Sequence, residues 1–263
     1  MLKFDSLPAR TRRVYDFLSA DSALQGFTLI GGTALALQIG HRQSEDLDLW
    51  IPAEHLNKRS LAELISKVKA KGVDTRLVMS QQQVSAAKIN GTDLLAHVQD
   101  YLIDGVKVTF FARADPPYQY FSTLPRVAGT SGSFQIMDAD GLFSMKSWVI
   151  HQRVRSRDLY DLKTFMEQGK TLDDIFLAAS AADPTCLPEY AQSVLTGEVP
   201  LDKKDEGFNS IGVTDSIHDI YGFFKTRLDE YEQLYARAVR EEISMPDFSP
   251  ETRTAHVTSQ KGS

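Results

Sequence analysis

The 263-residue chain carries 29 Lys and Arg against 35 Asp and Glu, and its 42% hydrophobic and 24% charged residues are typical of a soluble globular protein. Its single cysteine, Cys186, excludes an intramolecular disulfide and a multi-cysteine metal site, and it is compatible with a reducing cytoplasm. No stretch approaches the ~18 apolar residues of a membrane span, and no apolar run follows the basic N-terminal residues. We therefore expect a cytoplasmic protein without a membrane segment or a secretory signal.

Charge is unevenly distributed along the chain. Residues 1–157 carry a net charge of +4, and residues 158–263 carry a net charge of -10. This asymmetry favours an anionic ligand on the first half, although acidic surface helices in the second half would give the same numbers. The overall acidity argues only against tight, nonspecific binding along nucleic acid.

Hydrophobic patterning divides the chain into a mixed first half and a helical second half. Alternating or short apolar runs predict strands at residues 27–30, 46–51, 73–79, 94–103 and 106–112. Helical spacing predicts helices at residues 9–19, 33–39, 53–70, 138–154, 158–167, 171–179 and 214–243. A hairpin is predicted at Asp104-Gly105, a boundary loop at the Pro-, Gly- and Ser-rich residues 116–132, and a disordered tail at residues 244–263. The domains are therefore predicted at residues 1–132 and 133–243.

The most informative residues lie between positions 29 and 50. Gly31-Gly32-Thr33 ends an apolar strand immediately before a helix, which leaves backbone N–H groups at the helix N-terminus open to an anion. His41 and Arg42 add positive charge beside this turn. Taken alone, Gly-Gly-Thr is more often a turn with Thr33 as a helix cap, and Arg42 could simply pair with Glu45.

Asp46 and Asp48 stand two residues apart on the next predicted strand, so both carboxylates extend from the same face. Two neighbouring carboxylates repel each other, and a divalent cation such as Mg²⁺, which prefers oxygen ligands, removes that cost. An anion-binding turn followed by paired carboxylates is what phosphoryl or nucleotidyl transfer needs. Because an isolated Asp-x-Asp more often marks a solvated strand face, the prediction depends on the order and spacing of both motifs.

These motifs resemble those of the nucleotidyltransferase superfamily, in which Gly-Gly or Gly-Ser, a short helix and a strand with Asp-x-Asp follow one another. The runs Gly31-Gly32-Thr33-Ala34-Leu35-Ala36-Leu37 and Arg42-x-Ser44-x-Asp46-Leu47-Asp48-Leu49 are similar to those of the AbiEii branch. That branch comprises toxins of type IV toxin–antitoxin and abortive-infection systems, with the MenT tRNA-modifying toxins among its relatives. Lys146, followed by Arg157-Asp158-Leu159-Tyr160-Asp161-Leu162, resembles the family's later lysine and Arg-Asp-x-x-Asp motif, so the resemblance covers residues 27–165.

The resemblance implies a role for each matching residue. The glycine turn would bind the nucleotide phosphates, and the arginine and serine after it would fix the phosphates or the strand. The lysine would reach the triphosphate, and the aspartate of the last motif would be a further catalytic carboxylate or would orient the lysine. The implied nucleotide-binding residues are Gly31, Gly32, Thr33, Arg42 and Ser44, the implied Mg²⁺ (or Mn²⁺) ligands are Asp46 and Asp48, and the implied catalytic residues are Asp46, Asp48, Lys146 and Asp158.

Without the resemblance, several of these residues have ordinary structural explanations. Lys146 could lie on a helix surface, Asp158 could cap its helix, and Asp161 could simply be exposed. A basic cluster adjoins them and could bind RNA or form a solvated surface; its members are His151, Arg153, Arg155 and Arg157.

One position departs from the superfamily pattern. Two-metal members usually carry a third carboxylate on a later strand, where this chain has Thr109. A single Mg²⁺ held by Asp46 and Asp48, with Lys146 supplementing its charge, is the alternative to two-metal catalysis.

The implied fold is α+β, with a nucleotidyltransferase-like mixed β-sheet and flanking helices, followed by a helical C-terminal domain that completes the cleft. The implied function is an Mg²⁺-dependent toxin of phage defence that transfers a nucleotide from an NTP to tRNA, or less readily to a protein or small molecule. A genetically linked antitoxin that forms no stable complex is expected as its partner. The alternative is a catalytically weak or inactive member that binds a nucleotide or a protein. Alanine at Asp46 or Lys146 is expected to abolish transfer without unfolding the protein.

Overall fold

The computed structural model describes residues 2–79, 81–128, 132–208 and 211–244. Of the tail predicted to be disordered, residues 245–263 lie outside the described residues. Within the described part, no helix has both the length and the apolar character needed to cross a membrane.

A six-stranded mixed sheet forms the centre of the fold, in the spatial order β3-β4-β5-β2-β1-β6. The pairs β2–β5 and β1–β6 are parallel, and the other neighbours are antiparallel. The strands are β1 (Thr28–Ile30), β2 (Leu47–Ile51), β3 (Thr75–Leu77), β4 (Val98–Ile103), β5 (Val106–Ala112) and β6 (Gln135–Ile136). Because β6 follows residue 132, the sheet takes its last strand from beyond the predicted domain boundary.

Helices flank the sheet, and after β6 the described chain contains helices and the segments that connect them. The helices are α1 (Ala9–Ser19), α2 (Gly31–Ile39), α3 (Lys58–Ala70), α4 (Gln81–Ile89), α5 (Leu94–His97), α6 (Pro116–Thr123), α7 (Ala139–Val149), α8 (Ser156–Glu167), α9 (Leu172–Ala182), α10 (Pro188–Leu195) and α11 (Ile217–Ser244). The predicted α+β class, a mixed sheet with flanking helices followed by a helical region, is confirmed.

Strand β5 illustrates how the sequence determines the two faces of the sheet. Val106, Val108 and Phe110 are buried, whereas Lys107 and Thr109 between them remain at least partly open, which is the alternation of a pleated strand. Burying a side chain of the size of Phe110 contributes about 1.5–3 kcal/mol, so this face fixes the register of the strand. The opposite face is thereby turned toward α7.

Two predicted elements were wrong in type. The boundary loop at residues 116–132 contains α6, because its prolines occupy the first helical turn, where no backbone N–H is needed, and Tyr118 and Phe121 are buried against Trp148. The predicted strand at residues 94–103 begins only at Val98, after the single turn of α5. The sequence also gave no clear sign of α4, α10 or β6, which are short.

Candidate active site

The glycine turn is the first turn of α2, and its two glycines are required by close contacts. Gly31 has a φ of +74°, and a Cβ there would lie 2.7 Å from Asp48 Oδ2. A Cβ on Gly32 would lie 2.5 Å from Arg42 Nη2. The N-cap of α2 is Ile30, which makes no side-chain cap hydrogen bond, so Thr33 is not the cap and the first N–H groups of the helix stay available to an anion.

Thr33 instead connects α2 to the start of β2. Its hydroxyl donates to the backbone carbonyl of Asp46 and lies 2.8 Å from Ser44 Oγ. Both hydroxyl side chains are buried. The contact fixes the backbone at Asp46 relative to the helix N-terminus, which positions the carboxylate rather than capping the helix.

Asp46 and Asp48 are half-buried, and neither carboxylate accepts a hydrogen bond from the described residues. Burial, together with the charge of Asp48, raises the pKa of Asp46 to about 6. Burial also raises the pKa of Asp48, while Lys107 opposes the shift. Two partly buried carboxylates with raised pKa values and unused oxygens form a pair that a divalent cation would stabilise.

The donor set of this pair fits Mg²⁺. Within the described ranges no group of three or more His, Cys, Asp or Glu side chains is arranged to hold a metal. Mg²⁺ is commonly held by one or two carboxylates and completes its shell with water and substrate phosphates. Asp46 and Asp48 meet that requirement without a third protein ligand.

A buried ion network joins the first motif to the later one. Lys146 Nζ is ion-paired with Asp158 and lies 2.7 Å from Asp161 Oδ2. Arg42 donates from Nε to Asp161 Oδ1 at 2.7 Å and from Nη2 to Oδ2 at 3.0 Å. Although burial acts in the opposite direction, Arg42 and Lys146 hold the pKa of Asp161 well below its usual range. His41 Nε2 also lies 2.7 Å from Asp161 Oδ1.

This ion network excludes the ordinary structural explanations that the sequence left open for Lys146, Asp158 and Asp161. Lys146 is buried and Asp161 is fully buried, so neither lies on a surface. The N-cap of α8 is Arg155, so Asp158 lies inside the first turn and does not cap the helix. Asp161 was missed as a site residue because its contact with Arg42 spans 119 positions in the chain.

Three arginines of the basic cluster line the polar cavity, and they differ in their hydrogen-bond and ion-pair partners. Arg153 Nε lies 3.0 Å from Asp158 Oδ2, and Arg157 Nη1 lies 2.9 Å from Glu206 Oε2. Arg155 Nε is buried and finds no hydrogen-bond partner within the described part of the chain. Glu206 belongs to the segment between α10 and α11, and no sequence motif marked it.

Two adjoining cavities meet at these groups. The polar cavity, of about 90 Å³, contains eight of the nine predicted site residues: Gly32, Thr33, Arg42, Ser44, Asp46, Asp48, Lys146 and Asp158. The aromatic cavity, of about 350 Å³, lies between the sheet and α7, and its walls include Gly31, Asp100, Thr109, Phe111, Tyr118, Met145 and Trp148. Asp48, Lys146, Arg153, Arg155 and Asp158 line both cavities. All nine predicted residues are thus brought together, while their individual roles remain predictions.

The class of the protein follows from its match to known sequences. Residues 12–244 match the family described as "Nucleotidyl transferase AbiEii toxin, Type IV TA system", so the protein is by class a nucleotidyltransferase. Because the match covers most of the chain, the protein belongs to the AbiEii family of toxins of type IV toxin–antitoxin systems. The resemblance inferred from the glycine turn and the paired aspartates is confirmed.

Individual relatives are more distant. The chain is 30% identical over 143 residues to an uncharacterized protein of Aquifex aeolicus (strain VF5), and the match covers 54% of this chain and 58% of that protein. The chain therefore matches little more than half the length of that relative. JHP933 from Helicobacter pylori is 16% identical with a TM-score of 0.45, covering 92% of this chain and 100% of that chain. MenT4, the nucleotidyltransferase toxin Rv2826c from Mycobacterium tuberculosis H37Rv, is 12% identical with a TM-score of 0.47, covering 83% and 86%.

Proposed function

We propose that this protein is an Mg²⁺-dependent toxin that transfers a nucleotide from an NTP to tRNA. The observation that carries the proposal is the polar cavity, in which the uncapped N-terminus of α2 and two carboxylates without hydrogen-bond partners face the same space. Family membership supports the reaction class. The cavity is the reason for proposing a bound metal and triphosphate, and the positive charge around it is the reason for proposing a polyanionic acceptor.

The polar cavity suits phosphate groups rather than a whole nucleotide. Its volume of about 90 Å³ is well below the roughly 300–1,000 Å³ of sites that enclose drug-sized ligands. The N–H groups of Gly32 and Thr33 would donate to phosphate oxygens, and the helix dipole of α2 favours the negative charge. The rest of the NTP would therefore extend out of this cavity.

Asp46 and Asp48 would hold Mg²⁺ beside the phosphates, with Mn²⁺ as the alternative ion. When bound there, the metal supplies positive charge against the triphosphate and the developing pyrophosphate. Thr33 keeps Asp46 in place through its backbone carbonyl, and Gly31 leaves room for Asp48 Oδ2. The described residues provide no third carboxylate ligand, which favours a single protein-held ion.

Lys146 would bind the triphosphate at the border of the two cavities. Its ammonium is held by Asp158 and Asp161, and Asp161 is held in turn by Arg42. Restricting the lysine in this way lowers the entropy lost when it contacts a phosphate. Arg42 therefore acts as a positioning residue, through Asp161 and Lys146.

The proposal that tRNA is the acceptor is based on the positive charge around the cleft. Arg153 and Arg155 line both cavities, and Lys107 lines the aromatic one. The +4 charge of residues 1–157 contrasts with the -10 charge of the remainder, which would confine an RNA to one face around the cleft. A tRNA affinity that falls with added salt is expected.

Incubation with Mg²⁺, total tRNA and each NTP labelled at the α-phosphate tests the function. Label is expected to enter the tRNA with at least one NTP, and chelation by EDTA or the change Asp46→Asn should stop it. If no NTP gives transfer while nucleotide binding is intact, the enzyme proposal fails. That result would instead favour the alternative of an inactive binding protein, for which Thr109 beside Asp48 is the motivating observation.

An antitoxin partner accompanies membership in this family. We propose that it is genetically linked to the toxin, that it forms no stable complex with it, and that the pair acts in the cytoplasm in phage defence. Co-expression of the toxin with the neighbouring gene, followed by gel filtration, should give separate peaks. Co-elution in a fixed ratio would contradict the absence of a complex.

A further inference from the structure

One row of the sheet places a second carboxylate near Asp48. In the strand register, Asp48 on β2 is opposite Thr109 on β5, and Thr109 is opposite Asp100 on β4. Register partners extend from the same face of a sheet, so Asp48 and Asp100 flank Thr109 on the face turned toward α7. All three residues line the aromatic cavity.

Among the described residues that line this cavity, Asp100 is the carboxylate with neither a side-chain partner nor a role in the proposed metal site. The side chain is half-buried and makes no hydrogen bond or ion pair with any residue that the structure describes. Asp158, in the same cavity wall, is held by Lys146 and Arg153, and Asp48 is committed to the metal in the proposed function. Asp100 is therefore left with oxygens that can accept from a ligand.

The aromatic cavity has the size and lining of a nucleoside site. Its volume of about 350 Å³ falls in the range typical of small-ligand sites. Phe111, Tyr118 and Trp148 provide apolar surface on which a flat base can pack. Asp100 and Thr109 provide polar groups for sugar hydroxyls at the sheet.

The position of the cavity relative to Asp48 points to the acceptor rather than to the NTP. An attacking oxygen must approach the α-phosphorus from the side opposite the departing pyrophosphate. If the phosphates lie in the polar cavity against α2, the aromatic cavity is the space that opens on the other side of Asp48.

We propose that the aromatic cavity binds the terminal nucleoside of the acceptor and that Asp100 accepts the proton of the attacking hydroxyl. This inference rests on the proposed function. The hydroxyl oxygen forms a bond to the α-phosphorus, the bond from that phosphorus to the bridging oxygen of the pyrophosphate breaks, and pyrophosphate leaves with the electron pair. The hydroxyl proton goes to the Asp100 carboxylate, which is a catalytic role of the general-base type.

Asp100→Asn tests the catalytic role, with Asp104→Asn as the matched control. Asp104 is at the tip of the same hairpin and pairs with Arg13 at the surface. Asp100→Asn should lower kcat by about 100-fold or more while the KM for the NTP stays within about twofold, and the control should behave as the wild type. A wild-type kcat for Asp100→Asn, or a loss confined to the KM for the NTP, would overturn the inference.

Occupancy of the cavity is tested by the fluorescence of Trp148, without any need for transfer activity. Free nucleosides, titrated one at a time, should quench part of the tryptophan emission, and Trp148→Phe should remove that response. A saturating non-hydrolysable NTP should leave the quenching unchanged. No quenching by any nucleoside, or competition by the NTP analogue, would overturn the inference. A protein that transfers nothing yet shows uncompeted quenching would contradict only the proposed function.

Discussion

Lys146 Nζ lies 2.7 Å from Asp161 Oδ2, and Arg42 holds the same carboxylate through two hydrogen bonds. The three residues come from α7, from α8 and from the segment between α2 and β2. The buried charges therefore connect the helical half of the chain to the motif that carries the glycine turn. The network is both a structural clamp and the support of the proposed triphosphate-binding lysine.

Lys146→Ala is expected to destabilise the fold. Removing one partner of a buried ion pair costs up to about 3–5 kcal/mol. Without Lys146, Asp158 keeps only Arg153 and Asp161 keeps Arg42 and His41 as partners, and both carboxylates stay buried. The burial of Lys146 therefore predicts a loss of stability, in contrast to the expectation from sequence that this change leaves the fold intact. Urea unfolding measures the effect, and Lys58→Ala, which removes an exposed ion pair with Asp93, is the control and should change the stability far less. Equal stability of the two variants would contradict the clamp.

Gly31→Ala is expected to damage the site beyond its backbone strain. Gly31 and Gly72 have nearly equal φ values, +74° and +76°, so alanine strains both by about 1 kcal/mol. A Cβ at Gly31 would lie 2.7 Å from Asp48 Oδ2, whereas at Gly72 nothing lies within 4 Å. Gly31→Ala should therefore lose NTP binding, measured by equilibrium dialysis with Mg²⁺, while Gly72→Ala retains it. Similar binding by both variants would show that Asp48 is not tightly enclosed.

Mg²⁺ binding is expected to depend on pH through Asp46. Its carboxyl, with a pKa of about 6, must lose its proton to bind a cation, so 10 mM Mg²⁺ should raise the Tm clearly more at pH 7.5 than at pH 5. Asp46→Asn should remove the shift at pH 7.5. A Mg²⁺-induced shift that is the same at both pH values would exclude Asp46 as a ligand.

The same raised pKa predicts a stability effect without metal. Because the folded protein holds the Asp46 proton more tightly than the unfolded chain, stability from this group is lost as the pH rises from 3.8 through about 6. At pH 7.5 in EDTA, Asp46→Asn should therefore be more stable than the wild type by on the order of 1 kcal/mol, after allowance for partial exposure. Chemical unfolding at pH 7.5 and pH 3.5 checks this, since the advantage should vanish at the lower value.

Arg155→Gln is expected to weaken the binding of anionic substrate. Arg155 Nε has no partner among the described residues and lies where the two cavities meet, so a phosphate is its natural acceptor. The loss of one charge-assisted hydrogen bond should reduce NTP or tRNA affinity on the order of tenfold. Arg59→Gln, at an exposed position on α3, is the control and should change neither affinity. Unchanged affinity for both ligands in Arg155→Gln would remove this residue from the site.

The sequence was most informative for the part of the site whose residues lie close together along the chain. The glycine turn and the paired aspartates lie within 18 consecutive positions, so their order alone indicated an anion beside a metal. Residues 106–112 likewise show their alternation directly, and β5 was predicted with its observed bounds. Local steric and periodic rules are sufficient for such segments.

The sequence was least informative where partners are far apart in the chain. Asp161 was predicted within a motif but not as the partner of Arg42, since no local rule connects two positions separated by 119 residues. Asp100 went unnoticed because only the register of β4 on β5 places it in line with Asp48. Helix α6 was missed because a segment that begins with two prolines resembles a loop in composition, although proline is also favoured in the first turn of a helix.

The most direct test of the central claim compares two positions of label in the same NTP. With tRNA, Mg²⁺ and the NTP that supports transfer, label at the α-phosphate should appear in tRNA, and label at the γ-phosphate should appear in pyrophosphate. One pyrophosphate should form for each nucleotide added, and Asp48→Asn should abolish both products. Transfer of the γ-label to tRNA, or release of pyrophosphate without incorporation of the α-label into the tRNA, would contradict nucleotidyl transfer at this site.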